Sequence, residues 1–122
     1  DPKKTKAKPL QSDRPDYRMM ALLRETVQQA KKAGSGVVFV HSPRWSDDFQ
    51  EEKVSKTLLE NITAVAAEED IPFLCLTQEN SPEFRTPALF ADTAHLNEEG
   101  SQLFSQIVAN WILELKITGM HF

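Results

Sequence analysis

The chain has 122 residues, which is the size of one ordinary domain and enough to bury a core. Hydrophobic residues make up 40% of it and charged residues 26%, a composition that excludes a disordered chain. The formal net charge of −4 disfavours nucleic acid and anionic membranes as partners, and no apolar run reaches the roughly 18 to 20 residues of a transmembrane segment.

The segment DPKKTKAKPLQS, residues 1–12, carries several lysines and almost no apolar side chain. It cannot bury enough surface to offset the entropy lost on ordering, so we predict a flexible basic tail or linker. No aromatic residue accompanies the lysines, which disfavours a nucleic-acid-binding arm. Residues 13–122 are expected to form one domain portion. The chain opens without an initiator methionine or a signal peptide and reads as part of a longer protein.

Three helices and two strands follow in the order α-β-α-β-α. The first helix is predicted over residues 15–33, with Gly34 as its stop. The second is predicted to begin at a Ser46 cap that two aspartates follow, and the last at an Asn97 cap. Helical stripes of apolar residues support the three elements: Met20, Leu23, Val27 and Ala30; Val54, Leu58, Ile62 and Val65; and Phe104, Ile107, Val108, Trp111, Ile112 and Leu115. Acidic residues 68–70 interact unfavourably with the negative end of the dipole of the second helix, and the sequence alone gives no reason for them.

The runs VVFVH, residues 37–41, and IPFLCL, residues 71–76, are short and continuously apolar. They predict strands buried on both faces, as in a parallel sheet, and the helices around them indicate a doubly wound α/β arrangement. However, a two-stranded parallel sheet leaves long unpaired edges and is seldom stable alone. Either the apolar pattern misses further strands of this chain, or another chain supplies them, or this chain is part of a larger sheet.

The carboxyl ends of parallel strands meet at one edge of the sheet, where functional groups gather in open α/β folds. Two loops are expected there: SPRW after the first strand, and residues 77–95 after the second. The second loop contains Asp92, three residues before His95. At that spacing a tight turn can set the carboxylate against imidazole Nδ1–H and leave Nε2 as a base. The alternative is a solvated loop pair, or a histidine tied to a carboxylate for structural reasons.

The stretch FADTAHLNEEGSQLFSQIVANWI, residues 90–112, resembles the last block of the SGNH, or GDSL-type, serine esterases and lipases. That block reads Asp-x-x-His-Leu/Pro-Asn-x-x-Gly and precedes the family's closing helix. It is matched here by Asp92, His95, Leu96, Asn97 and Gly100. The run VVFVHSPRW, residues 37–45, is similar to the family's strand and loop before its last βα unit. The resemblance covers roughly residues 17–115 and implies a three-layer α/β/α fold with parallel strands and flavodoxin-like architecture.

The resemblance implies that Asp92 and His95 are the acid and base of a Ser-His-Asp triad. The family's Gly-Asp-Ser block, which carries the nucleophile, is missing, and the glycine and asparagine of its oxyanion hole are not recognisable. These blocks would lie upstream of Asp1. We therefore expect this chain to be the C-terminal half of such a domain, and to be inactive alone.

No serine of the chain itself is an evident nucleophile. Ser35 lies before the first strand, at the wrong end of the sheet, Cys75 lies inside an apolar strand, and Ser81 is in a loop with no base adjacent in sequence. Ser42 follows the first strand and is either a substrate contact or part of a Ser-Pro turn. Arg44 and Trp45 are candidates to contact a substrate carboxylate or sugar ring. The alternative is that Trp45 packs on the following helix while Arg44 is solvated.

The first functional hypothesis is therefore that the chain is part of an ester hydrolase or acyl transferase. Its substrates would be acyl esters of carbohydrates, lipids or small molecules. Its expected partners are the ester and the missing N-terminal half, or a second chain along the sheet edge. The resemblance implies no cofactor and no metal, and it favours an exported or periplasmic bacterial protein. The second hypothesis is a non-catalytic α/β interaction domain whose exposed sheet edge recruits a partner strand.

Overall fold

The computed structural model describes residues 16–48, 56–120 and 122. Within these ranges the chain forms three α-helices and a two-stranded parallel sheet, which confirms the predicted α/β class. The elements are α1 (Tyr17–Lys32), β1 (Phe39–His41), α2 (Lys56–Glu68), β2 (Phe73–Cys75) and α3 (Glu98–Ile117). Two 3₁₀ turns, Pro82–Phe84 and Pro87–Leu89, lie between β2 and α3. The predicted tail over residues 1–12, and Val54 of the second stripe, lie outside the described residues.

The chain folds as two compact units. One contains α1 and α2, in residues 16–39, 56–74, 120 and 122. The other contains α3 and the two loops that follow the strands, in residues 40–48 and 75–119. No helix in the described ranges combines the length and the apolar character that a membrane crossing requires.

The first helix confirms its prediction closely. Asp16 is its N-cap, because the Asp16 carboxylate accepts a hydrogen bond from the Met19 amide at 2.9 Å. Met20 and Val27 of the predicted stripe are buried. The chain leaves the helix through Gly34, whose φ of 87° lies in the left-handed region that favours glycine.

The acidic end of α2 is explained by its contacts with α1. The Arg24 guanidinium bonds both oxygens of the Glu68 carboxylate, with Nε at 2.6 Å and Nη2 at 3.2 Å. The Gln28 amide donates to the Glu69 carboxylate at 2.9 Å, and the Lys31 ammonium donates to the Glu69 carbonyl. The hydrogen bond from Arg24 lowers the pKa of the Glu68 carboxyl. Basic and amide groups of a neighbouring helix thus offset the unfavourable dipole.

The same unit contains an apolar core built from helix and strand-flanking residues. Val27, Ala66 and Ile71 form its buried centre, with 2%, 5% and 6% of their surfaces exposed. Phe39 and Phe73 pack against this centre with their rings edge to face, at a centroid separation of 6.3 Å. This aromatic pair stabilises the unit beyond the area that it buries.

The two strands are shorter than predicted. The Phe39 amide donates to the Pro72 carbonyl at 2.9 Å, and the Leu76 amide donates to the His41 carbonyl at 3.0 Å, as in a parallel ladder. Pro72 has no amide hydrogen to contribute, so β2 begins only at Phe73. Pro72 and Leu76 thus contribute to the ladder from just outside β2, while Val37 and Ile71 further out pack in the core.

The predicted cap at Ser46 is wrong. Asp47 and Asp48 form a bend and not a helical turn, and α2 is described only from Lys56. The Ser46 amide instead donates to the side-chain carbonyl of Gln78 at 2.7 Å. A contact with a loop distant in sequence thus outweighs the local capping preference of serine.

The last helix begins as predicted. The Asn97 side chain accepts a hydrogen bond from the Gly100 amide at 3.0 Å, and Glu98 and Glu99 lie in the first turn. Gly100 is the one residue of the helix that is buried. The apolar stripe is half-buried along its length: Phe104, Ile107, Val108, Trp111, Ile112 and Leu115. The described residues therefore cover this helix only in part.

Candidate functional site

The predicted acid and base lie in a turn that is closed by main-chain hydrogen bonds. Phe90 and Leu96 form an antiparallel bridge across it. Inside this bridge, the His95 carbonyl accepts hydrogen bonds from the Ala91 amide at 2.9 Å and the Asp92 amide at 3.4 Å. The backbone therefore holds Asp92 and His95 on one short loop before α3 begins.

The two side chains meet with the geometry that the spacing predicts. His95 Nδ1 lies 2.8 Å from Asp92 Oδ1 and 3.0 Å from Oδ2. A carboxylate can only accept hydrogen bonds, so Nδ1 is the protonated ring nitrogen and Nε2 presents a lone pair when the ring is neutral. The expected hydrogen bond is confirmed, whereas its catalytic role remains a prediction.

Asp92 also organises the turn that contains it. Its Oδ1 accepts hydrogen bonds from the Ala94 amide at 2.8 Å and from the His95 amide at 2.9 Å. The Ala94 amide and then the His95 side chain lower the pKa of the Asp92 carboxyl. Asp92 therefore stays ionised at neutral pH, which is the state that can orient an imidazole and stabilise an imidazolium.

The Asp92–His95 pair is open to solvent. The side chain of His95 is 74% exposed and that of Asp92 is 50% exposed. Water screens such a pair, so it contributes little to stability. Active sites that use such a pair are normally shielded from bulk water. The described residues thus provide the pair and its local support without enclosing it.

The loop after β1 reaches the turn, as the parallel topology predicts. The Trp45 amide donates to the Thr93 carbonyl at 3.0 Å. The Trp45 ring packs on Phe90, with centroids 5.6 Å apart and planes inclined at 60°. Pro43 of the same loop is fully buried. Trp45 therefore lies against the turn that carries Asp92 and His95, and its role as a substrate contact remains a prediction.

The other predicted substrate residues are less constrained. Ser42 is exposed and Arg44 is half-buried. Within the described part of the chain, no hydrogen bond joins the Ser42 hydroxyl to His95. Ser81 is 3% exposed, and its hydroxyl donates to the Asn80 side chain at 2.7 Å. The described ranges therefore show no serine positioned for activation by His95, and the roles of Ser42 and Arg44 remain predictions.

Sequence reasoning missed Gln78, which is completely buried. Its side-chain carbonyl accepts the Ser46 amide at 2.7 Å, and its amide donates to the Phe84 carbonyl at 2.9 Å. The Arg85 guanidinium donates to the main-chain carbonyls of Gln78 and Glu79, both at 2.6 Å. A single glutamine in a polar stretch normally predicts a solvated side chain, so the sequence carries no signal for this role.

Within the described ranges, no group of three or more His, Cys, Asp or Glu side chains converges closely enough to hold a metal ion. Comparison of the chain with protein families, with characterised proteins and with solved structures found no match.

Proposed function

We propose that this chain supplies the acid and the base of a serine ester hydrolase or acyl transferase of the SGNH type. The observation that carries the proposal is the hydrogen bond between Asp92 and His95 Nδ1, at 2.8 Å, in a turn directly before α3. The resemblance of residues 90–112 to the family's last block places the same two residue types in those roles. The contact between Trp45 and Thr93 supports a location at the carboxyl edge of the sheet.

In this mechanism His95 Nε2 takes the proton of a serine hydroxyl as the serine oxygen attacks the ester carbonyl carbon. Asp92 holds the imidazole in the tautomer that has Nε2 unprotonated, and stabilises the imidazolium that forms. Collapse of the tetrahedral intermediate expels the alcohol, which receives its proton from His95. Water, or a second alcohol in a transferase, then releases the acyl group by the same steps in reverse order.

The serine, the oxyanion donors and the remaining strands belong to an upstream half of the domain in this proposal. That half would complete a three-layer α/β/α fold by extending the sheet and covering α3. The half-buried stripe of α3 and the exposed Val40, at 43%, support this part of the proposal, since both are apolar surfaces of regular elements. The substrate class is an acylated carbohydrate, a lipid or a small ester, with Trp45 as the candidate contact for a sugar ring.

The proposal is tested by hydrolysis of p-nitrophenyl acetate. We expect negligible turnover by these 122 residues and measurable turnover by a longer protein that includes the upstream segment. In that longer protein, His95→Ala should lower kcat/KM by about 10²- to 10⁴-fold, the usual contribution of a general base. His41→Gln is the matched control, because His41 is the last residue of β1 and its Nδ1 donates to the Leu76 carbonyl at 3.1 Å and not to the turn.

Two results would overturn the proposal. One is a longer protein whose turnover ignores His95→Ala while the variant remains folded. The other is robust turnover by the 122-residue chain that depends on one of its own serines. Both measurements need only the free chain, the longer protein and the single variants.

A second candidate function is that of a non-catalytic domain that recruits a strand along β1. Phe39 and His41 bond β2, so the main-chain groups of Val40 between them face the opposite edge. The other edge of the sheet is partly occupied, because the Asn80 side chain donates to the Cys75 carbonyl at 2.8 Å. Strand addition at β1 with no serine near His95 in the resulting assembly would favour this candidate.

A further inference from the structure

We infer that Gln78 is a positioning residue for the Asp92–His95 pair, acting through the loop that follows β1. This inference rests on the proposed function, since it assigns Gln78 to the support of that same site.

The first step is the cost of burying Gln78. Its surface exposure is 0%, and a buried amide that lacks hydrogen-bond partners is strongly unfavourable. Both ends of the side chain are satisfied, one by the Ser46 amide at 2.7 Å and the other by the Phe84 carbonyl at 2.9 Å. Gln78 therefore ties the loop after β2 to the loop after β1 at a fixed separation.

The second step leads from Ser46 to the pair. Its neighbour Trp45 donates its amide to the Thr93 carbonyl at 3.0 Å and packs its ring on Phe90. Thr93 directly follows Asp92, and Phe90 closes the base of the turn. Fixing the position of Ser46 thus fixes the two contacts that hold the turn from outside.

The third step is that the pairing of the two side chains depends on the shape of their turn. Hydrogen bonds inside the turn set Asp92 against His95, but the pair is exposed and water competes for both side chains, so the pairing persists only while contacts from outside hold the turn closed. Catalysis requires the base to be held within about 0.5 Å of its productive position relative to the nucleophile. The contacts that begin at Gln78 supply this external constraint.

The test uses the imidazole of His95 in the 122-residue chain, measured by ¹⁵N NMR. The native ring should show one dominant tautomer with Nδ1 protonated. Gln78→Met keeps the shape but deletes both hydrogen bonds, and we expect its His95 signals to average between the two tautomers. Asn80→Leu is the matched control, because Asn80 is an amide of the same loop whose side-chain bonds go to Thr77, Cys75 and Ser81 and not to the loop after β1.

In the longer protein, Gln78→Met should lower kcat by about ten- to a hundredfold, as expected for a misplacement of up to about 1 Å, with a smaller change in KM. A folded Gln78→Met variant with an unchanged His95 tautomer and unchanged kcat would overturn the inference. If that variant does not fold, Trp45→Ala removes the ring contact with Phe90, which is the side-chain contact that holds the turn from outside, and an unchanged tautomer there would equally overturn the inference. The NMR measurement uses no ester, so its failure is distinct from failure of the proposed function.

Discussion

The two compact units of the chain bury their side chains in different places. The unit of α1 and α2 buries aliphatic residues of its helices, such as Val27 and Val65 at 2% and 0% exposure. The unit that carries the Asp92–His95 pair buries loop residues instead, with Phe84 and Phe90 at 0% and 1%. Its long helix α3 contributes only Gly100 to the buried set.

The two units differ in how far they cover the apolar faces of their helices. Helices that close a domain normally bury one continuous apolar stripe, as α1 and α2 begin to do around Val27 and Ala66. The loops of the second unit are already packed and hydrogen-bonded, whereas Leu113 and Ile117 of its helix are 59% and 77% exposed. In the proposed function, the packed loops present the acid and base, and the upstream half covers the helix.

The largest expected effect tests whether the loops form the core of the second unit. Phe84→Ala should lower the free energy of unfolding by about 3 to 5 kcal/mol, since the ring is fully buried. Trp111→Ala should cost clearly less in the 122-residue chain, because that ring is partly exposed. Urea denaturation of both variants provides the measurement. Equal costs would show that α3 is as well covered as the loops.

The same two variants, compared in the longer protein, test whether the upstream half covers α3. If the upstream half covers α3, the cost of Trp111→Ala should rise there toward that of Phe84→Ala, which should stay constant. A cost of Trp111→Ala that is the same in both proteins would contradict the proposed covering of this helix.

A smaller effect is expected where α3 meets the loops. Gly100→Ala would normally stabilise a helix by up to about 1 kcal/mol. Here the new Cβ would press on the Leu89 carbonyl oxygen and lie 3.0 Å from Leu96 Cδ2. We expect a net loss of about 1 to 3 kcal/mol by denaturation, as for other overpacked sites. Ser101→Ala, one exposed position further on, is the control, and a stable Gly100→Ala variant would place the helix start away from Leu89.

The smallest effect is the response of the turn to acid. The pKa of Asp92 is lowered in the folded chain, so its contribution to stability is complete above the ordinary value of 3.8 and is lost as the pH falls through the lowered pKa. Protonation weakens its bonds to the Ala94 and His95 amides. Amide proton shifts of both residues should therefore titrate together below pH 3.8. Titration at or above that value would show that the carboxylate lacks these donors in solution.

The parts of the molecule that depend on local patterns were predictable from the sequence. Three such features depend only on residues within one or two turns of chain: the stripe of α1, the Asn97 cap and the three-residue spacing of Asp92 and His95. Hydrogen bonds over three residues need no distant partner, so the pattern fixes them directly.

The parts that depend on distant contacts were not predictable. Ser46 has the right residue type for a cap, but its amide pairs with Gln78, 32 residues away. The acidic end of α2 is unfavourable in isolation, and Arg24, 44 residues away from Glu68, explains it. Tertiary contacts of this kind override local propensity, and one sequence does not reveal which residues they join.

Covalent labelling of the longer protein with a fluorophosphonate tests whether His95 activates a serine. Such reagents modify a serine whose hydroxyl is activated by an adjacent base. We expect one adduct per chain by intact mass, located on a serine upstream of Asp1, lost in His95→Ala and kept in His41→Gln. Labelling of that serine at an unchanged rate in folded His95→Ala protein would contradict this role of His95.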